Sequence, residues 1–170
     1  MSQAANTMDK MIKSMNDKEG KYLTFNLAGE QYGIGILRVR EIIGMMPITS
    51  VPQVPEFVKG VINLRGKIIS VLDLRLKFGM DPMDYAERTC IIVVEISGSV
   101  GNVAMGIVVD SVSEVLNIKS TEIEPTPSFG AHVNTEYILG MAKTESGVKI
   151  LLDIDRVLGE EEWELMQKIA

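Results

Sequence analysis

Slid against itself, the chain repeats, and this limits what it can fold into more than any other feature of the sequence. The segment Gly33-Ile34-Gly35-Ile36-Leu37-Arg38-Val39-Arg40-Glu41-Ile42-Ile43 runs in step with Gly106-Ile107-Val108-Val109-Asp110-Ser111-Val112-Ser113-Glu114-Val115-Leu116, 73 positions later. Gly, Ile, Val and Glu recur at the same steps. A second block follows at a shift of 80, where Phe57, Gly60, Leu72, Asp73 and Gly79 meet Tyr137, Gly140, Leu152, Asp153 and Gly159. A loop insertion accounts for the difference between the shifts. One motif is therefore used twice, and the inward-facing aliphatics of the two copies must meet along a seam.

Each copy reads as β-structure. Leu23, Phe25 and Leu27 alternate with polar neighbours, Ala28-Gly29-Glu30 makes a turn, and Tyr32, Ile34 and Ile36 alternate again, which predicts a hairpin. Further strands are predicted at 39–43, 58–63, 67–72, 89–96, 102–109, 112–116, 138–143 and 148–152. They are short and separated by Gly, Pro, Ser or Asn, a pattern that favours small closed or nearly closed barrels over a parallel α/β sheet. Asp73 and Asp153 each stand where a carboxylate N-caps a short helix that ends at glycine. A C-terminal helix is expected over 160–170, with acids in its first turn, Lys168 in its last, and Trp163 and Met166 on one side. Residues 1–20 lack Phe, Tyr, Val and Leu and read as a flexible tail in which Met8, Met11 and Met15 share one helical face.

Composition excludes several functions. A formal net charge of −6 without a basic cluster argues against nucleic acid or anionic lipid as the main partner. No apolar run approaches the ~18 residues of a membrane span, so a cytoplasmic location is expected. One cysteine and one histidine leave no disulfide and no Cys/His metal cluster, and neither metal nor cofactor is expected. Enzymatic readings are weak. Gly33-Ile34-Gly35 lacks the third glycine and the helix of a phosphate loop, and Cys90, the nominal nucleophile for His132, opens the apolar run Ile91-Ile92-Val93-Val94. Asp73 and Asp153, being repeat-related, read as caps rather than an acid–base pair. The seam is the better candidate, since an aliphatic groove with rim charges suits an amphipathic helix.

Asn63-Leu64-Arg65-Gly66 followed by Asp73-Leu74-Arg75, preceded by Phe57-Val58-Lys59-Gly60-Val61-Ile62, resembles the signature of the CheW family of chemotaxis coupling proteins. Tyr32-Gly33-Ile34-Gly35-Ile36 with Val39-Arg40-Glu41-Ile42-Ile43, and Gly106 to Val115, resemble its two other recurrent blocks. Three blocks in this order make the resemblance specific. It implies two SH3-like five-stranded β-barrels sharing a hydrophobic core, with a CheW-like domain over 21–159 and repeat cores at about 22–79 and 89–159. It implies a non-enzymatic adaptor that joins the histidine kinase CheA, through its regulatory domain, to the helical hairpin tips of chemoreceptors in arrays at the inner membrane surface. Carried over by residue, Glu41 and Arg65 are receptor-facing charges, and Val39, Val112 and Val115 form the groove wall. Ile36, Lys59 and Gly60 belong to one kinase face, and Phe129, in the loop from Glu124, to another contact. Read without the family, Arg65 is a solvated hairpin-tip residue and Glu41 a strand charge, and the valines are core. The sequence departs from the family pattern at Ser70, where many relatives carry proline on what is read as an edge strand. It departs also at Glu124, which replaces a basic residue, and at Arg40, which replaces a neutral amide. A coupler for a receptor system outside chemotaxis is the rival adaptor reading.

Overall fold

The computed structural model describes residues 18–98, 101–127, 135–158 and 162. Most of the predicted tail and of the predicted C-terminal helix lies outside the described residues. The strands are β1 (Gly20–Leu27), β2 (Glu30–Gly35), β3 (Val39–Gly44), β4 (Val58–Leu64), β5 (Lys67–Asp73), β6 (Cys90–Gly98), β7 (Gly101–Val109), β8 (Ser111–Ile118), β9 (Ile123–Glu124), β10 (Ile138–Thr144) and β11 (Gly147–Leu152). A short helix, α1 (Leu74–Lys77), follows β5, and 3-10 turns follow β2, β8 and β11. Every strand read from alternation is present. Ile36 is the exception within the first hairpin: the β1–β2 pairing ends with Tyr22 opposite Gly35, although β1 runs on through Lys21 and Gly20 against β8, and the chain enters a 3-10 turn at Ile36–Arg38.

Two sheets result, one of six strands in the order β8-β1-β2-β11-β10-β9 and one of five in the order β3-β6-β7-β5-β4. The mainly β, SH3-like architecture is as predicted, but neither sheet is a closed barrel. In the five-stranded sheet β3 and β4 are the two edges, and only an isolated bridge, Thr49 with Val61, brings the chain leaving β3 back to β4. In the six-stranded sheet the chain leaving β8 returns in the same way as β9, which pairs with β10. At two residues β9 is too short to show alternation, and the sequence reading does not include it.

The ladders carry the repeat. Parallel β5 and β7 place Val71 opposite Gly106, and parallel β11 and β2 place Leu151 opposite Gly33. A bulge interrupts β3 against β6 between Val39 and Glu41, and another interrupts β1 against β8 between Leu23 and Phe25, where Val112 pairs with Phe25. A second matched pair of bulges lies at Val58/Gly60 and Ile138/Gly140. Each sheet draws on both sequence copies, because the hairpin β1–β2 joins the later strands of the second copy, while β6–β7 joins β3, β4 and β5.

Gly60 and Gly140 show why the second pair is glycine. A Cβ on Gly60 would lie 2.0 Å from the Thr49 carbonyl oxygen, and one on Gly140 would lie 2.9 Å from that of Glu124. The returning chain passes too close for any side chain.

Three apolar clusters fill the molecule. The largest is shared: Leu23, Phe25, Tyr32 and Ile34 of one sheet meet Ile92, Val94, Met105 and Ile107 of the other, all buried. A stacked series from Phe25 through Tyr32 and Phe78 to Tyr137, with centroids 5.0 to 6.1 Å apart, runs through it. The other two clusters lie within single sheets, around Ile62, Ile69, Ile91 and Val93 in the five-stranded one and around Tyr22, Ile118 and Leu151 in the six-stranded one.

Candidate functional site

The shared core does not cover the whole of the two facing sheet surfaces. On β3, Ile42 lies opposite Ile92, a shared-core residue, so its side chain projects from the same sheet face. Yet Ile42 is 46% exposed. On β8, Val115 lies opposite Leu23, again a shared-core residue, and is 49% exposed. Val39 and Val112, one bulge further along, are half-buried and pack against the shared core. The predicted groove residues Val39, Val112 and Val115 thus occupy matched registers on edge strands of different sheets, with the outermost left bare. Ile42 was not singled out from the sequence, although the shift of 73 that relates Val39 to Val112 also relates Ile42 to Val115.

Arg65 and Glu41 come together. Arg65 and Gly66 form the two-residue turn between β4 and β5, with φ of 51° and 87°, and Asn63 Oδ1 accepts from the Gly66 N–H at 2.9 Å. Both residues of a type I′ turn need positive φ, and arginine accepts the strain here. The turn points the guanidinium at Glu41 on β3, and Arg65 Nη2 donates to Glu41 Oε1 across the gap between the two edges of the sheet. The Glu41 carboxylate holds the Arg65 guanidinium above its ordinary range. The Arg65 side chain is 70% exposed, and most of its five donors face solvent. Glu41 lies opposite Val93, of the cluster on the other face of the sheet, so the pair sits at the same sheet edge as bare Ile42 but on the face away from the shared core. A planar, half-used fork at that edge is suited to a carboxylate on an incoming helix.

The residues expected at the kinase face do not share one cleft. Ile36 lines a cleft of about 360 Å³ with Lys21, Arg38 and Asp155, beside Leu37, whose side chain is 94% exposed. Lys59 lines another of about 320 Å³ with Asp73, Met83 and Tyr85, its ammonium 5.8 Å from the centroid of the Tyr85 ring. The Tyr85 hydroxyl donates to Asp73 Oδ2 at 3.2 Å, and burial, then the nearby Asp73 charge, raises its pKa. Gly60 is buried under Thr49, so it offers no side-chain surface. Phe129 and His132 lie outside the described residues.

The departures from the family pattern also find places. Ser70 is buried, and β5 is not an edge strand as the sequence suggested: it lies between β7 and β4, with Ser70 opposite both Met105 and Val61. Arg40 sits in the bulge of β3 and reaches Glu95 at 3.2 Å, and Glu124 pairs with Lys143. Cys90 is half-buried at the start of β6, and burial pushes its thiol up. Asp73 and Asp153 are caps: Asp73 Oδ1 accepts from the N–H groups of Arg75 and Leu76, and Asp153 Oδ1 from that of Asp155. Among the described residues no group of three or more His, Cys, Asp or Glu is placed to hold a metal, and no helix is long and apolar enough to cross a membrane.

Comparison with known proteins agrees with this architecture. The CheW-like domain model matches residues 21–162. Chemotaxis protein CheW of Klebsiella aerogenes is 41% identical over 150 residues, covering 88% of this chain and 88% of that protein. The probable chemotaxis protein CheW of Rhizobium etli is 31% identical over 157 residues, covering 92% of this chain and 99% of that protein. The crystal structure of the scaffolding protein TtCheW from Thermoanaerobacter tengcongensis superposes with a TM-score of 0.74 at 37% identity, covering 85% of this chain and 95% of that one.

Proposed function

The chain belongs to the CheW-like family, and on that premise we propose that it is a chemotaxis adaptor that couples the histidine kinase CheA to the cytoplasmic tips of chemoreceptors. Its work is scaffolding rather than catalysis. Receptor signals reach the kinase because the adaptor's contacts with each differ between signalling states. The observation that carries the reading is the pair of bare apolar positions, Ile42 and Val115, at matched registers on the margins of a shared core, with the Arg65–Glu41 pair at the same sheet edge as the first. An amphipathic receptor helix would lay its apolar stripe along Val39, Ile42, Val112 and Val115, and an acidic side chain on it would take the free donors of Arg65. Kinase contact is assigned to Ile36, Lys59 and Phe129, with Gly60 acting by keeping the β4 ladder close to Thr49. In this reading the protein is recruited to receptor arrays at the inner face of the membrane through these contacts alone.

Arg65→Asp tests the receptor half. The substitution breaks a solvent-exposed ion pair, which adds little to stability, so the thermal midpoint should stay within a few degrees. Binding to a purified receptor-tip fragment should fall about tenfold or more, because a carboxylate would then face a carboxylate. Unchanged tip binding by a folded variant would remove Arg65 from the interface, and failure of the unaltered protein to bind any tip fragment would remove the function.

A further inference from the structure

The proposed groove is flanked by β3 and β8, each bonded to a single neighbour, β6 and β1 respectively. Edge strands with one partner and a bulge need a second constraint to hold their angle. Both have one, immediately before the first groove residue. Two residues ahead of Val112, Asp110 receives Arg75 Nε on Oδ1 and Arg75 Nη2 on Oδ2, each at 2.7 Å, and its Oδ2 also accepts from the Ala28 N–H at 2.8 Å. One residue ahead of Val39, Arg38 Nη2 donates to Asp155 Oδ2 at 2.6 Å, and Asp155 Oδ1 accepts from the Ser97 N–H at 2.9 Å.

These two ties are related by the repeat, with their strand-side partners one step apart: the shift of 73 matches Asp110 with Leu37 and Arg38 with Ser111. Arg75 and Asp155 are equivalent at the shift of 80, and Ala28 and Ser97 each follow a matched pair, Leu27 with Glu30 and Ile96 with Val103, Ala28 in the β1–β2 turn and Ser97 still on β6. In both, a carboxylate joins the start of an edge strand, the helical turn after β5 or β11 of the facing sheet, and the hairpin of the edge strand's own sheet. The polarity is reversed. At one tie the acid stands on the strand side and the base on the turn; at the other the acid is on the turn and the base on the strand side. A connection made between the same elements, from neighbouring positions and with its charges exchanged, points to the connection itself as what matters. Neither is an ordinary exposed pair, since the side chains of Arg75 and Asp110 are only 14% and 18% exposed, and those of Arg38 and Asp155 39% and 23%.

We propose that Arg75 with Asp110, and Arg38 with Asp155, are positioning residues that clamp the starts of β8 and β3 to the facing sheet and so set the width of the groove. The inference rests on the groove being the receptor site. A charge-reversal cycle in the full chain tests it, with Arg75→Asp, Asp110→Arg and the two combined, read by the amide resonances of Val112 and Val115 and by binding of the receptor-tip fragment. Either single change should displace both resonances and weaken binding about 5-fold or more, and the combination should recover most of both. A purely local stability role would lower the thermal midpoint without moving those resonances, and that result overturns the proposal, as does a folded double variant no better than its parents. If the singles do not fold, the same cycle at the more exposed Arg38 and Asp155, read at Val39 and Ile42, decides. Absence of tip binding by the unaltered chain would defeat the functional reading alone, leaving the resonances to judge the clamps.

Discussion

The five-stranded sheet is built from one unbroken stretch, 39–109, whereas the six-stranded sheet takes 20–35 from before that stretch and 111–152 from after it. The first can close on local pairings, but the second must bring together partners such as Thr24 and Glu114, 90 positions apart. Contacts that distant are formed late and at a larger entropic cost. Their interiors differ in the same sense. Positions filled by Val93, Ile62 and Ile69 in the five-stranded sheet are filled by Thr24, Ala142 and Lys149 in the other. Lys149 is buried, with its ammonium donating to Gln31 and, at 3.1 Å, to Ser146. Two copies of one motif can therefore keep the same registers and bulges while only one keeps an all-aliphatic set of buried residues in its own cluster. Stability in this protein should be concentrated in the inserted sheet and in the shared core it presents to the other.

The sharpest break in that comparison is at the paired glycines. Gly60→Ala drives a methyl group into the Thr49 carbonyl at a φ of 140°, and the returning backbone cannot give way without losing the bridge that draws the sheet edges together. A loss of about 3 kcal/mol or more is expected in urea unfolding, from overpacking and strain combined. Gly140→Ala meets the Ile123 side chain at 2.8 Å and the Glu124 carbonyl at 2.9 Å, with no positive φ, and should cost clearly less. Equal losses would mean that the two closures are equally tight and that the inserted sheet has no special standing.

Next in size is Ile62→Ala, which gives the five-stranded sheet the residue that its counterpart already carries as Ala142. Ile62 is 1% exposed, and its loss should cost about 2–5 kcal/mol. Hydrogen exchange sharpens the result. The amides of β6 and β7 should lose protection with β4 and β5 as one unit, while those of β10 and β11 lose less. Uniform loss across both sheets would show that the shared core, not the inserted sheet, sets cooperativity.

Much of this was legible in the sequence, for a reason that particular residues make plain. Alternation at Leu23, Phe25 and Leu27 and at Tyr32 and Ile34 is imposed by one buried face, so it revealed strands, and the repeat at Val39 and Val112 reflects ladders of identical register. What the sequence did not reveal was partnership across long range. Nothing in the spacing of β1 and β2 tells that their hairpin joins β8 and β11, or that β5 is an interior strand. Arg65 and Glu41 could be marked as charges of interest, yet their mutual pairing depends on two sheet edges meeting, which is a tertiary event. Ile42 was missed because an exposed isoleucine inside an apolar strand has the same local pattern as a buried one, and only the uncovered margin of the core distinguishes them. Gly60 was read as a contact, although its local demand comes from the Thr49 backbone, eleven residues earlier in the chain.

The smallest effect separates the two caps. Asp73 accepts from two backbone N–H groups and from the Tyr85 hydroxyl, and is 6% exposed. Asp153 accepts from one N–H, and its ion pair with Arg156, at 3.5 Å with the arginine largely exposed, adds little. Asp73→Ala should therefore cost about 1–2 kcal/mol and Asp153→Ala about 0.5 kcal/mol, a difference readable as a few degrees in the thermal midpoint. The mechanism goes beyond capping at the first site: without Asp73 the Tyr85 hydroxyl loses its acceptor, and the segment that holds Tyr85 against Lys59 loses a tether. Tyr85→Phe in the Asp73→Ala background isolates that tether. If Asp73→Ala and the double variant unfold at the same temperature, the hydroxyl bond was made only through Asp73 and the excess cost at the first cap is accounted for. Should the double variant be markedly less stable, Tyr85 has another acceptor, and the difference between the two caps must then come from the helix α1 itself.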